Sequence, residues 1–324
     1  MTALTRGDLR LVGDVGGTNC RFARVDTNAT RLVLIDPRSF VRADFDSLED
    51  AIDHYLGATP SRPHEAVIAV AGPVSAGRVR LTNGRWTISE AGIASRGFEQ
   101  VRLINDFEAL VLSVNALAPN DLGDIGGPAE GQARGTVAVL GAGTGLGVGA
   151  LVRDSQSEAV AVSEGGHIAF APTDDLEIDI LRKLTGRFGR VSLERLLSGP
   201  GLVNLYEALA GLKGVEPLPL DPEDIVERAT GGRDPLCAEA LERFCRIYGA
   251  AAGDFALAYG ATGGVYLGGG IAPGIIDVLR SSGFRAAFEA KGRFTSYCAA
   301  IPTKVILHRH AALLGAALAP LGRR

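Results

Sequence analysis

The strongest constraint on the fold is a design that the chain uses twice. Residues 11–15 and 19–25 are two β-like stretches joined across Gly16-Gly17-Thr18, and residues 136–140 and 148–152 are two more, joined across a glycine-rich turn at 141–147. In the first copy Leu11 and Val15 share a face with Asp14 on the other; beyond the turn, Cys20 and Phe22 lie on one face and Arg21 and Ala23 on the opposite one. A Gly-Gly dipeptide suits a tight hairpin because glycine accepts positive φ. A glycine tip also leaves backbone N–H groups bare, and a polyanion such as a phosphate can rest against them. Asp14 and the Thr18-Asn19 pair bracket the tip, offering a carboxylate for a metal ion and neutral donors for phosphate oxygens. A single Gly-Gly hairpin is ordinarily a turn and nothing more. Its repetition points to two halves built on one plan, facing a common cleft.

Glycine is also the anomaly of the composition, with 43 in 324 residues, about twice the usual ~7%. The glycines gather at 13–17, 141–149, 165–166, 263–264 and 268–270, each group beside an apolar run. Backbone is therefore brought close to something at several separate points. The length and a 46% hydrophobic content allow a large core and favour two domains. A net charge of −4 and a pI near 5.8 argue against a basic nucleic-acid-binding face. Cys20, Cys237, Cys245 and Cys298 form no C-x-x-C pair, which suits a reducing compartment and offers no zinc framework. The first ten residues lack the apolar core of a signal peptide. The longest apolar run, 137–152, is broken by five glycines and is shorter than the ~20 residues of a membrane span. A soluble cytoplasmic protein without nucleic-acid or membrane partners is the expectation.

Read in order, the chain mixes strands and helices as an α/β fold does. Residues 32–35 read as a third strand, and 46–56 as a helix with Leu48, Ala51, Ile52 and Tyr55 on one face. A buried-strand run at 66–71 and a half-exposed strand at 78–81 lead into a turn at Thr82-Asn83-Gly84-Arg85-Trp86, which carries the only tryptophan. Residues 101–106 form a strand running into a helix marked by Phe107, Leu110, Val111, Val114 and Leu117. Asn105-Asp106 stands at that junction. Asp106 is a good N-cap; equally, it is a carboxylate at the carboxyl end of a strand, where α/β folds place ligands, and could take a proton from a bound hydroxyl. Residues 118–135, polar and glycine-rich, read as a linker into a second domain. A Glu164-Gly165-Gly166-His167 turn follows another short strand. Residues 191–197 begin a helix with Ser192 as cap, which puts Glu194 in a first turn where an acid is favoured anyway. Asp221-Pro222 and Asp234-Pro235 are cap-plus-first-turn helix starts. Residues 263–271 are a strand and a triple glycine ahead of a helix at 275–280, and flat backbone there suits an adenine or ribose. A late strand at 304–307 precedes an apolar-faced helix at 310–318. His308 and His310 have no third ligand nearby.

Three familiar motifs are absent. The dinucleotide fingerprint needs glycine where Leu146 or Val148 stands, a P-loop needs a Gly-Lys dipeptide, and no G-x-S-x-G elbow occurs. The ordered set of segments at 11–21, 103–107 (LINDF), 140–147 (LGAGTGLG), 164–172 (EGGHIAFAP), 197–206 (LSGPGLVNLY) and 263–273 (GGVYLGGGIAP) resembles the hexokinase–actin–heat-shock ATPase superfamily. More closely, it resembles the bacterial glucokinases outside the ROK group, whose cysteine-rich zinc signature is missing here. Cys20 stands where alanine is expected.

The resemblance implies an α/β, two-domain actin-like ATPase (ribonuclease H-like) fold with a deep interdomain cleft. Residues 1–116 plus 309–324 would form the small domain and 117–308 the large one. It implies transfer of the γ-phosphoryl group of ATP to the 6-hydroxyl of glucose, the first step of glycolysis, with Mg²⁺, in a homodimer. Asp106 would be the general base, and Asn105 and Asp106 would hold the sugar. Glu164, His167, Glu194 and Asn83 would bind further hydroxyls. Asp14, Gly16, Gly17, Thr18 and Asn19 would serve the phosphates, with Asp14 reaching the metal through water. Gly143 and Thr144 would meet the phosphates from the other side, and Gly268, Gly269 and Gly270 the adenosine. Several carboxylates and amides suit a neutral polyol better than an anionic sugar phosphate. The alternatives are a kinase for mannose or fructose, or a sugar-binding regulator without catalysis. The latter would be expected to add a DNA-binding helix-turn-helix, for which the ten residues before Leu11 leave no room.

Overall fold

The computed structural model describes residues 9–59, 62–80, 86–154 and 156–322. The chain divides into two compact units, Met1–Ala118 with His308–Arg324, and Pro119–Leu307.

The first unit holds β1 (Leu9–Val15), β2 (Asn19–Asp26), β3 (Leu34–Val41), α1 (Leu48–Gly57), β4 (Glu65–Val70), a small β5/β6 ribbon (Arg78–Arg80, Thr87–Ser89), α2 (Glu90–Ala94), β7 (Gln100–Asn105) and α3 (Asp106–Ser113). The main sheet runs β3-β2-β1-β4-β7, with β1, β2 and β3 antiparallel and β4 and β7 parallel to β1. Alternation decides its two faces. Leu11, Val15, Cys20, Phe22, Ile68 and Val70 pack with Leu48, Ala51, Ile52 and Tyr55 of α1, the face expected from the sequence. The Ser47 side chain caps α1 by accepting from the Asp50 N–H. The third strand starts two residues later than expected and runs to Val41; Pro37 is tolerated because β3 is an edge strand, and Asp36 bends the backbone at φ 52°.

The second unit holds β8 (Leu122–Gly126), β9 (Val137–Ala142), β10 (Leu146–Arg153), β11 (Glu158–Ser163), α4 (Asp175–Phe188), α5 (Gly199–Lys213), α6 (Pro222–Thr230), α7 (Pro235–Tyr259), β12 (Gly264–Gly268), α8 (Ile271–Gly274), α9 (Ile276–Ser281), α10 (Phe284–Glu289), α11 (Thr295–Ala299) and β13 (Thr303–Ile306). Its sheet runs β11-β10-β9-β12-β13-β8. Three antiparallel strands are followed by two parallel ones, as in the first unit, so the repeat seen as two hairpins extends to five strands of each sheet, with β8 added as a sixth strand, antiparallel to β13. The core joins Leu140 and Val265 of the sheet to Leu202 and Tyr206 of α5, Phe244 and Tyr248 of α7, and Phe284 and Phe288 of α10. Asp221 and Asp234 cap α6 and α7 as expected, each followed by proline in the first turn.

Three sequence expectations need correction. The 118–135 stretch contains a strand, β8, concealed because Gly123 and Gly126 contribute no side chains; Ile276 and Arg285 fill that space instead. The helix expected from Val191 is a single 3₁₀ turn at Leu193–Arg195, without a side-chain cap from Ser192; α5 starts afresh at Gly199, capped by Ser198. The helix after the triple glycine starts at once, as α8, before α9 takes over.

The final helix, α12 (Ala311–Leu318), belongs to the first unit and packs on α3, β1 and β4. Gly315 lets it approach α3 closely, since a Cβ there would overlap the Ala109 carbonyl oxygen. The buried face of α3 is accordingly Ala109, Val111, Leu112 and Ser113, rather than the expected stripe running on to Leu117. Among the described residues no helix is long and apolar enough to cross a membrane. The four cysteines are all buried and unpaired.

Candidate functional site

In the first unit β1, β4 and β7 run parallel, and their register aligns Val15, Val70 and Asn105 in one row. Asp14, the turn after Val15, and the Asn105-Asp106 junction thus emerge at the same edge. In that turn the Gly16 N–H donates to the Asn19 carbonyl at 2.9 Å. Neither Gly16 nor Gly17 lies at positive φ, contrary to the sequence argument for them. Their bareness is the relevant property: a Cβ on Gly17 would meet nothing within 4 Å, and one on Gly16 only the Asn19 carbonyl at 3.7 Å. Gly17 and Thr18 are exposed. Asp14 faces Arg21 across the hairpin, and Arg21 Nη1 donates to Asp14 Oδ2 at 2.8 Å.

One cation at this turn escaped the sequence reading. The Arg42 N–H donates to the Thr18 carbonyl at 2.9 Å, and its guanidinium donates to the Gly16 carbonyl at 3.3 Å while lying 5.5 Å over the Trp86 ring. No local motif marks Arg42; it reaches the turn because β3 pairs with β2 and places Val41 opposite Asn19.

The cap of α3 is Asn105, not Asp106. Asn105 Oδ1 accepts from the N–H groups of Phe107 (2.9 Å) and Glu108 (3.3 Å), and its Nδ2 donates to the Gly72 carbonyl at 3.1 Å. Asp106 stands one residue inside the helix and accepts from its neighbour Phe107 N–H at 2.9 Å. Burial first, and the nearby Asp14 charge second, push its carboxyl up to about 6, against the opposing pull of the Phe107 N–H. A carboxylate of that basicity, released from capping, is suited to accept a proton near neutral pH.

In the second unit the Gly143–Gly145 turn joins β9 to β10, with the Gly143 N–H donating to the Gly145 carbonyl at 2.9 Å. The space beside Gly143 borders the Gly270 N–H, 3.9 Å from where its Cβ would stand, so this turn and the loop after β12 lie together. Gly269 requires its φ of 79° and leaves no room for a side chain against Ala142. Gly269 and Gly270 are exposed, while Gly268 is buried within β12. Thr144 is exposed at the tip of the turn.

Glu164, His167 and Glu194 meet in the same unit. His167 Nε2 lies 3.9 Å from Glu164 Oε2, and its Nδ1 lies 4.0 Å from Glu194 Oε1. The backbone brings them together. Residues 169 and 192 form a bridge, the Leu193 N–H donates to the Ile168 carbonyl and the Phe170 N–H to the Val191 carbonyl. Glu194 is not serving a helix dipole, since its 3₁₀ turn is three residues long; its Oε2 accepts from the Leu146 N–H at 3.0 Å. Asn83 lies outside the described residues.

Each unit therefore presents a glycine-lined turn, one beside two carboxylates and the other beside a Glu-His-Glu group. The family model for Glucokinase matches residues 11–321. The chain is 50% identical to a glucokinase of Caulobacter sp. (strain K31), over 100% of this chain and 99% of that protein. Its fold superposes on the crystal structure of a glucokinase from an Antarctic psychrotroph with a TM-score of 0.89 and 40% identity, covering 96% of this chain and 98% of the other. A ROK-family glucokinase from Streptomyces griseus, solved with glucose and AMPPNP, shares the fold at TM-score 0.61 and 21% identity, over 95% of this chain and 98% of that one. The architecture is that of the actin-like sugar kinases, and the chain belongs to the glucokinase family.

Proposed function

We propose that this protein transfers the γ-phosphoryl group of ATP to the 6-hydroxyl of glucose. Asp106 carries the reading: a partly buried carboxylate, with its pKa raised to about 6, at the strand end that also presents the bare Gly16-Gly17 turn. In this scheme Asp106 takes the hydroxyl proton as the sugar oxygen attacks the γ-phosphorus, and ADP leaves with the bridging oxygen. Asn105 and Asp106 orient that hydroxyl, and Glu164, His167 and Glu194 hold other hydroxyls of the same sugar, with Asn83 added by resemblance. Thr18, Asn19 and the N–H groups of Gly16 and Gly17 receive phosphate oxygens, as do Gly143 and Thr144. Gly268, Gly269 and Gly270 lie along the adenosine. Phosphoryl transfer requires positioning and charge neutralisation more than covalent help, which suits groups of this kind.

The residues fit a magnesium ion bound mainly through water and substrate. Among the described residues no three His, Cys, Asp or Glu side chains could form a cage, whereas Mg²⁺ typically takes one or two carboxylates plus phosphates and keeps its waters. Asp14, with Oδ2 on Arg21, has Oδ1 left to hold such an ion through water. The ion would neutralise phosphate charge.

We assign the protein to the non-ROK branch, supported by its four buried, free cysteines, none of them in a C-x-x-C pair of the kind a zinc signature uses. A cytoplasmic glycolytic homodimer is the corresponding cellular reading. The deciding experiment is a coupled assay of ADP release over glucose, mannose and fructose. Glucose-dependent turnover yielding the 6-phosphate is expected. A preference for another hexose would reassign the substrate, and sugar binding without ADP release would make the protein a sensor.

A further inference from the structure

Leu146 opens β10 directly after the Gly143–Gly145 turn, and both sugar-side loops hold it. Its N–H donates to Glu194 Oε2 at 3.0 Å. Its carbonyl oxygen occupies the place a side chain on Gly166 would take, so the Glu164–His167 loop rests bare backbone on this peptide. Gly145 is bare for a related reason, since a Cβ there would stand 2.5 Å from Glu194 Oε2. The far side of the turn is held by the Gly199 N–H, which donates to the Gly143 carbonyl at 2.8 Å. Ser198, the cap of α5, donates through Oγ to the Glu194 carbonyl at 2.8 Å. The two oxygens of Glu194 are thus divided: Oε2 is spent on the turn, while Oε1 faces His167.

We propose that Glu194 is a positioning residue for the phosphate turn as well as a sugar ligand. Oε2 holds the Gly143–Gly145 turn through the Leu146 amide, and Oε1 takes a sugar hydroxyl. The assignment rests on the glucose-kinase reading above. Leu146 is buried, so loss of its acceptor would leave an unsatisfied amide at the base of the turn, and the turn would lose its set conformation. An acceptor is all that the amide requires. Glutamine can keep its carbonyl oxygen on Leu146 while offering the sugar a donor in place of an acceptor; alanine removes both functions.

The test is calorimetric titration of wild type, Glu194→Ala and Glu194→Gln with Mg²⁺–AMPPNP in the absence of sugar, and separately with glucose. The alanine variant is expected to bind the nucleotide about tenfold more weakly and to lose glucose affinity, as removal of a hydrogen bond to a charged group implies. The glutamine variant is expected to keep nucleotide affinity within about twofold while losing about tenfold for glucose. Should the alanine variant fail to fold, Glu194→Asp, too short to serve both partners, takes its place with the same expected nucleotide loss. Unchanged nucleotide affinity in the alanine or aspartate variant, or equal losses in alanine and glutamine, would overturn the assignment while leaving the kinase reading intact. A wild type that binds neither ligand would overturn that reading and the assignment with it.

Discussion

Asp14 stands one residue before the end of β1 and Asp106 one residue past the end of β7, two strands of one sheet with β4 between them, and the charge of the first raises the proton affinity of the second. Arg21 holds Asp14 by a 2.8 Å ion pair, whereas Asp106 has only amide donors. Two carboxylates at one strand edge are thereby made unequal: one is tied to a cation and the other is left basic. That inequality suits the roles proposed for them, Asp14 for charge and Asp106 for a proton.

Substitution of Asp106 by Asn separates chemistry from folding. Asp106→Asn is expected to lower kcat by about 10²–10⁴, with glucose affinity held within about tenfold by the remaining hydroxyl contacts. Because the folded-state pKa is raised, the native protein carries a desolvation penalty above about pH 6 that is absent below the unfolded value of 3.8. The variant should therefore melt a few degrees higher than wild type at pH 8 and no higher at pH 3.5. Near-normal turnover by Asp106→Asn would remove Asp106 from the role of base.

The pH profile follows from the same group. Asp106 must be ionised to accept a proton, so kcat/KM is expected to be flat above about pH 6 and to fall tenfold per unit below it. Removing the Asp14 charge takes away the second largest upward cause, so in Asp14→Asn the Asp106 carboxyl should titrate at lower pH while staying above 3.8 through burial. Carboxyl ¹³C NMR of the nucleotide-free protein reads this directly. An unshifted Asp106 titration in that variant would mean the two acids do not sense each other.

How much of this was legible beforehand depended on the distance over which each residue acts. The hairpin and its Asp14–Arg21 pair are local; alternation across a two-glycine turn already places those side chains on one face. The choice between Asn105 and Asp106 as cap was undecidable from composition, since either residue caps a helix, and one step of register separates a cap from a base. The link between Arg42 and the turn depends on β2–β3 pairing, and the link between Glu194 and Leu146 spans 48 residues; neither leaves a periodic trace. β8 was hidden by its own glycines, because its packing is supplied by Ile276 and Arg285.

Gly17 can carry a side chain without strain. With no positive φ and nothing within 4 Å of a Cβ, Gly17→Ala should fold normally and gain ~0.4–1 kcal/mol through the unfolded chain, as urea denaturation would register. In the proposed nucleotide site a methyl group there would stand where a phosphate oxygen meets the backbone, so the KM for ATP should rise about tenfold. A variant more stable than wild type with unchanged KM for ATP would place the nucleotide elsewhere.

Packing behind the site can be tested at Gly315. A Cβ on this residue would overlap the Ala109 carbonyl oxygen of α3, so Gly315→Ala must push α12 and α3 apart, at a cost of about 1–3 kcal/mol in stability. Since α3 begins at Asp106, the displacement should be felt at this proposed base, and a misplacement of about 1 Å can reduce turnover by about 10². The expected signature is a fall in kcat with the KM for ATP little changed, because the Gly16-Gly17 turn belongs to β1 and β2 and not to α3. Gly186→Ala is the matched control: it lies within α4, a Cβ there meets nothing within 4 Å, and it should be neutral or gain up to ~1 kcal/mol. If Gly315→Ala lost stability but kept full kcat, α3 would be able to move without carrying Asp106, and the helix would be a support for the fold and not for the base.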